Sequence, residues 1–132
     1  MNTIFEKQIG LLEAIANNPK VVQTPIVDGA GVSNGAMVNY LNSMKSALEE
    51  ELRELTLEIG NNDRAIMKPW STKYLDIAGK RFLSTPEIRS EAIDLLCFAM
   101  NMCIAVGIDE SNIDKEYEKV WRKNMLRQRN GY

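Results

Sequence analysis

Apolar residues recur at helical spacing through the middle of the chain, and a row of carboxylates runs beside them. Leu41, Met44, Leu48, Leu52, Leu55 and Ile59 fall on one face at 100° per residue, while Glu51, Glu54 and Glu58 lie about a quarter-turn away. Such a stripe is buried by packing on other helices, so the stretch LEEELRELTLEIG predicts a helical bundle. Acids at the edge of an apolar stripe also invite a cation.

The flanking sequence extends the same pattern. A first helix is expected over Thr3 to Ala16, with Ile4, Gln8, Leu11 and Ile15 on one face. Gln8 therefore sits inside an apolar stripe, and a buried amide without partners costs about 1–3 kcal/mol, so the protein or a ligand must satisfy it. Residues 17–35, rich in Pro, Gly, Asn and Asp, read as a loop. Their Gly29-Ala30-Gly31 follows no strand and precedes no Gly-Lys-Ser/Thr, so it is not a phosphate loop. The second helix is expected from Ala36 to Ile59, with Ser33 or Asn34 as cap and Gly60 as stop. Residues 61–85 carry Lys68, Trp70, Lys73, Lys80 and Arg81 and read as a basic, partly irregular excursion.

Thr85-Pro86-Glu87 marks the start of a third helix that Gly107 ends, and its interior AIDLLCFAMNMCIAV is almost wholly apolar. Glu91, Asp94, Phe98, Asn101 and Ala105 share one of its faces. Ser111 to Asp114 reads as a capping-box start for a fourth helix. That helix is expected to turn Tyr117, Val120 and Trp121 inward and to become basic through Arg122, Lys123, Arg127 and Arg129. The expected fold is all-α, one four-helix-bundle-like domain over residues 1–132.

Composition narrows the chemistry. The chain has 132 residues, a formal charge of −2 and no histidine, which removes Ser-His-Asp and Cys-His catalysis and the usual zinc sites and gives no reason to seek a nucleic-acid partner. Cys97 and Cys103 diverge by about 120° on a helix and read as core thiols in a reducing cytoplasm. The apolar stretch 92–106 is too short to cross a membrane and carries Asp94 and Asn101.

Two helices thus each present acids at helical spacing: Glu51 and Glu54 on one, Glu91 and Asp94 on the other. Antiparallel packing of their apolar faces brings these four carboxylates to one level, where their mutual repulsion calls for a divalent cation. All-oxygen ligands select a hard ion, Mg²⁺ first and Mn²⁺ as a substitute. Cations elsewhere, Lys68, Lys73, Lys80 and Arg81 in one group and Lys119, Lys123 and Arg127 in another, suit a metal-bound polyphosphate better than a bare ion.

The succession EEELREL, KPW, EAIDLLCF and the terminal NMLRQRNGY resembles the all-α nucleoside triphosphate pyrophosphohydrolases. These include MazG, and the likeness is nearest to the dimeric dUTPase and phage dCTPase/dUTPase branch. It covers most of residues 4–15 and 40–132. The resemblance implies a fold completed by oligomerisation, as a homodimer or homotetramer, and Mg²⁺ held by Glu51, Glu54, Glu91 and Asp94. It implies hydrolysis of a nucleoside triphosphate to monophosphate and pyrophosphate, with Glu50, Glu54 or Glu58 orienting or deprotonating the water. Lys68, Lys73, Lys123, Asn124 and Arg127 are then the expected phosphate-binding residues, and Gln8, Trp70, Cys97 and Asn101 the expected base-binding ones. The chain departs from the family's dUTPases where Cys97 replaces a histidine and Leu11 an asparagine. Val120 and Trp121 stand where a lysine is usual. A base reader that differs in its polar groups leaves the substrate open, with dUTP or dCTP favoured and a purine such as dGTP the alternative. The rival from another class is a helical interaction module without catalysis. For the pyrophosphohydrolase the expected setting is the cytoplasm of a bacterium or a phage-infected cell.

Overall fold

The computed structural model describes residues 3–60, 79 and 81–131. Lys68, Trp70, Lys73 and Lys80 lie outside them. The described residues form four helices and no strand: α1 (Ile4–Ala16), α2 (Asn34–Ile59), α3 (Pro86–Ala105) and α4 (Ile113–Asn130). They fall into two units, Met1–Leu41 with Met100–Tyr132, and Asn42–Ala99.

The first unit holds the buried apolar core of the described residues, Phe5, Leu12, Tyr40, Met100, Ile104 and Ala105. A capping box opens α1: the Glu6 amide donates to Thr3 Oγ1 at 3.1 Å, and the Thr3 amide donates to Glu6 Oε2 at 2.9 Å. Its buried face is Phe5, Gln8 and Leu12, whereas Ile4 and Leu11 are exposed. The expected stripe of Ile4, Gln8, Leu11 and Ile15 is thus turned by about one residue around the helix. Apolar residues occupy more than one face of α1, and the two candidate stripes share Gln8, so periodicity alone does not choose between them.

In the loop after α1, a Cβ added at Gly29 would stand 2.6 Å from the carbonyl oxygen of Ala105 and 3.2 Å from the Met37 side chain. Only glycine lets this loop approach the end of α3 so closely. That end is a Schellman motif: Ile108 N–H donates to the Cys103 carbonyl at 3.0 Å and Gly107 N–H to that of Ile104 at 3.1 Å, with Gly107 at φ +99°.

The expected capping box at Ser111–Asp114 does not form. The Ser111 amide and hydroxyl both donate to Asp109 Oδ1, Asn112 Oδ1 accepts from the Asp109 amide at 2.9 Å, and Asn112 Nδ2 donates to the Gly107 carbonyl at 2.9 Å. These side chains satisfy the backbone of the turn, and the helix begins at Ile113 without a side-chain cap. No residue of α4 is buried. Tyr117, expected to face inward, is 65% exposed, and Val120 and Trp121 are exposed with it. The helix carries its own ion pairs, Glu116–Lys119 at 3.1 Å and Glu118–Arg122 at 3.0 Å, each worth about 0.2–0.5 kcal/mol.

The second unit contains α2 from Asn42 onward and α3 up to Ala99. α2 starts two residues before the expected Ala36, and Ser33 Oγ still accepts from the Ala36 amide at 3.2 Å. Thr85 caps α3 as its sequence predicts, its Oγ1 accepting from the Ile88 amide at 3.1 Å. Leu52 and Ile59 of the α2 stripe are exposed, as are Ile93 and Leu96 of α3, while Met44, Leu48 and Leu55 are half-buried.

Candidate functional site

Helical spacing sets Glu51 and Glu54 one turn apart on α2, and Glu91 of α3 joins them. One carboxylate oxygen from each of these three side chains lies within 4.8 Å of the others. The side chains are half-buried as wholes, yet Oε2 of Glu51 and Oε2 of Glu91 are sealed from solvent and have no hydrogen-bond partner. Three anions so close, with two orphaned oxygens, form a site whose own electrostatics are unfavourable.

The titration of the groups follows from this. Burial, and then the like charges of Glu54, Asp94 and Glu91, push the Glu51 carboxyl above the usual carboxylate range. Burial, then Glu54 and Asp94, do the same to Glu91. Asp94, named with them from the sequence, is exposed and stands outside the close trio, and acts on it through its charge. The Cys97 thiol, half-buried, is pushed up by burial and by Asp94. A donor set of carboxylate oxygens alone, two of them buried and unpartnered, fits a hard divalent cation.

Of the other carboxylates expected here, Glu50 is exposed and Glu58 half-buried, and neither belongs to the trio. Lys123, Asn124 and Arg127 are exposed on α4.

The first unit holds a second polar feature. Gln8 and Asn101 are only 7% and 8% exposed, and Gln8 Nε2 donates to Asn101 Oδ1 at 2.7 Å. Sequence reading marked both amides without joining them. The available signal was that each interrupts an otherwise apolar helical run, and two such interruptions satisfy each other at the lowest cost.

No family model matches the chain, and no solved structure matches it. Among curated proteins it is 29% identical over 109 residues to a dCTP pyrophosphatase of Enterobacteria phage T4, covering 74% of this chain and 64% of that one. It is 30% identical over 109 residues to a dCTP pyrophosphatase of Enterobacteria phage LZ5, covering 74% and 63%. A DNA replication protein of phage T4 matches at 28% identity over 94 residues, 63% of this chain and 24% of that protein. The chain therefore spans less than two thirds of the length of each of these relatives. No helix among the described residues is long and apolar enough to cross a membrane.

Proposed function

We propose that the protein is a divalent-cation-dependent nucleoside triphosphate pyrophosphohydrolase that converts a dNTP, dCTP or dUTP before a purine, to the monophosphate and pyrophosphate. The carrying observation is the trio Glu51, Glu54 and Glu91 with its two buried, unpartnered oxygens. The named activity of the phage T4 and LZ5 relatives supports the same reading, as does the succession of motifs in the sequence.

Glu51, Glu54 and Glu91 would hold Mg²⁺ or Mn²⁺, with Asp94 adding charge at the edge. Such an ion, when bound, supplies electrostatic stabilisation of phosphoryl oxygens. Glu50, Glu54 or Glu58 orients the attacking water and accepts its proton. Lys123, Asn124 and Arg127 of α4, together with Lys68 and Lys73, neutralise the polyphosphate and hold the pyrophosphate as it departs. Gln8, Trp70, Cys97 and Asn101 contact the base. The exposed apolar residues of α4, Tyr117, Val120 and Trp121, support assembly as a homodimer or homotetramer. The setting is the cytoplasm of a bacterium or phage-infected cell, and neither a membrane nor a nucleic acid is a partner.

Pyrophosphate release from a panel of dCTP, dUTP, dTTP, dATP and dGTP, with Mg²⁺ and with EDTA, tests the proposal. Cleavage of at least one nucleotide that is abolished by EDTA is expected. If no nucleotide is cleaved, and Glu91→Gln leaves Mn²⁺ binding unchanged, the reading falls and a non-catalytic helical module takes its place.

A further inference from the structure

α4 carries a hollow built from its own side chains. It measures about 310 Å³ and is lined, among the described residues, by Trp121, Met125 and Leu126 with Arg122 and Arg129 beside them. Every residue of the helix from Tyr117 to Asn130 is exposed. Covering the apolar walls of such a hollow is favourable at roughly 25 cal/mol per Å², and among the described residues nothing does so.

The charges on this face identify its occupant. At 100° per residue, Asp114, Glu118, Trp121, Arg122, Met125 and Arg129 fall within an arc of about 100°, with Lys115 and Leu126 at its margin. Both acids of the arc precede Trp121 and both arginines follow it. Glu118 and Arg122 meet on their own helix at 3.0 Å. Asp114 and Arg129 stand about 22 Å apart along the axis and cannot pair within it. Two copies of this face laid parallel would set acid on acid and arginine on arginine. Laid antiparallel, each copy sets its acids against the arginines of the other, and the helix dipoles oppose. The face is therefore complementary to itself under a two-fold axis. With Asp114 opposite the partner's Arg129, Trp121 falls opposite the partner's Arg122, a guanidinium that stacks well on an indole. Lys123, Asn124 and Arg127 lie on the other side of α4, so the phosphate-binding residues proposed above stay outside the seam.

We propose that α4 pairs antiparallel with α4 of a second copy of this chain, along the face of Trp121 and Met125, with Asp114 of each copy against Arg129 of the other. This gives the assembly proposed above an element and an orientation, and rests on that part of the reading alone. Its test measures association and cross-linking, so it stands or falls apart from nucleotide hydrolysis.

Sedimentation equilibrium of the full chain over a range of concentrations, with helix content followed by circular dichroism, tests the pairing. The wild type is expected to self-associate, and Trp121→Glu, which sets a charge at the middle of the seam, to weaken association about 10-fold or more. Oxidative cross-linking reads the orientation, with the wild type as control for the half-buried Cys97 and Cys103. An equal mixture of Asp114→Cys and Arg129→Cys is expected to give disulfide-linked dimers of one variant with the other. Neither variant alone should link, because antiparallel pairing holds its two introduced thiols about 22 Å apart, beyond the reach of a disulfide. A wild type that is monomeric at every concentration overturns the proposal and the assembly reading together. Association that Trp121→Glu leaves as tight as in the wild type overturns the proposal alone, as do linked dimers of Asp114→Cys by itself. Should Trp121→Glu lose its helix content, the mixture decides: linkage between the two variants supports the pairing and its absence overturns it.

Discussion

Two groups of covered polar side chains sit in this molecule under opposite conditions. Gln8 and Asn101 meet donor to acceptor at 2.7 Å, and each answers part of the other's burial. Glu51, Glu54 and Glu91 meet acceptor to acceptor within 4.8 Å and leave two sealed oxygens without a partner. The amide pair lies in the unit that contains the buried apolar core, where a polar group is tolerated only if bonded. The carboxylates lie in a unit whose described apolar side chains are at most half-buried, yet two of their oxygens are covered and their charge is not relieved by water. The first pair is bonded within the protein, whereas the second group offers its oxygens to a proton or to a cation.

The sharpest way to break this contrast is to neutralise one acid. Glu91→Gln is expected to cut pyrophosphate release by about 10²–10³-fold, a loss of about 3–4 kcal/mol in barrier stabilisation. Relief of like-charge repulsion should at the same time raise the melting temperature of the metal-free protein at neutral pH. Opposite signs in activity assay and thermal melt are the signature, and a fall in both would place Glu91 among ordinary structural residues.

The amide pair should respond in the other direction. Gln8→Leu removes the 2.7 Å bond to Asn101 and is expected to cost about 0.5–1.5 kcal/mol in urea unfolding. The double change Gln8→Leu with Asn101→Leu should recover part of that loss. A double-mutant cycle with no coupling would mean that the bond contributes nothing to the core.

The smallest effect is expected from pH. Glu51 and Glu91 titrate above the ordinary carboxylate range in the folded chain. Their contribution to stability is therefore complete below the ordinary carboxylate value and is lost as pH rises through their raised values. Thermal melts of the metal-free protein should decline across that interval, and Mn²⁺ should offset the decline at neutral pH. Gln8 and Asn101 have no ionisable group and add nothing to the slope.

Much of this was legible in the residues. The helical class, the caps at Thr85 and Ser33, the Gly107 stop and the meeting of Glu51 and Glu54 with Glu91 follow from spacing and from the few backbone conformations that close a helix. What spacing did not disclose was which face of an all-round apolar helix is buried, because Phe5–Leu12 and Ile4–Leu11 fit the same period. Nor did it disclose that Asp94 stands outside the close trio, since positions three apart on a helix differ by about 60° and only the partner helix decides which of them is sealed. The inward turn expected for Tyr117, Val120 and Trp121 assumed that an apolar stripe is covered by its own chain.

α4 has a kinetic consequence. Its 18 residues bury none of their side chains, and it starts without a side-chain cap. Most helical stability in a protein comes from packing of a covered face, so the hydrogen bonds of α4 are expected to open by local fraying rather than by unfolding of the domain. Its amides should exchange with deuterium ahead of those at Met100–Ala105, where the core lies. Exchange along α4 that slows as protein concentration rises would date its stabilisation to the encounter of chains rather than to folding of a single one.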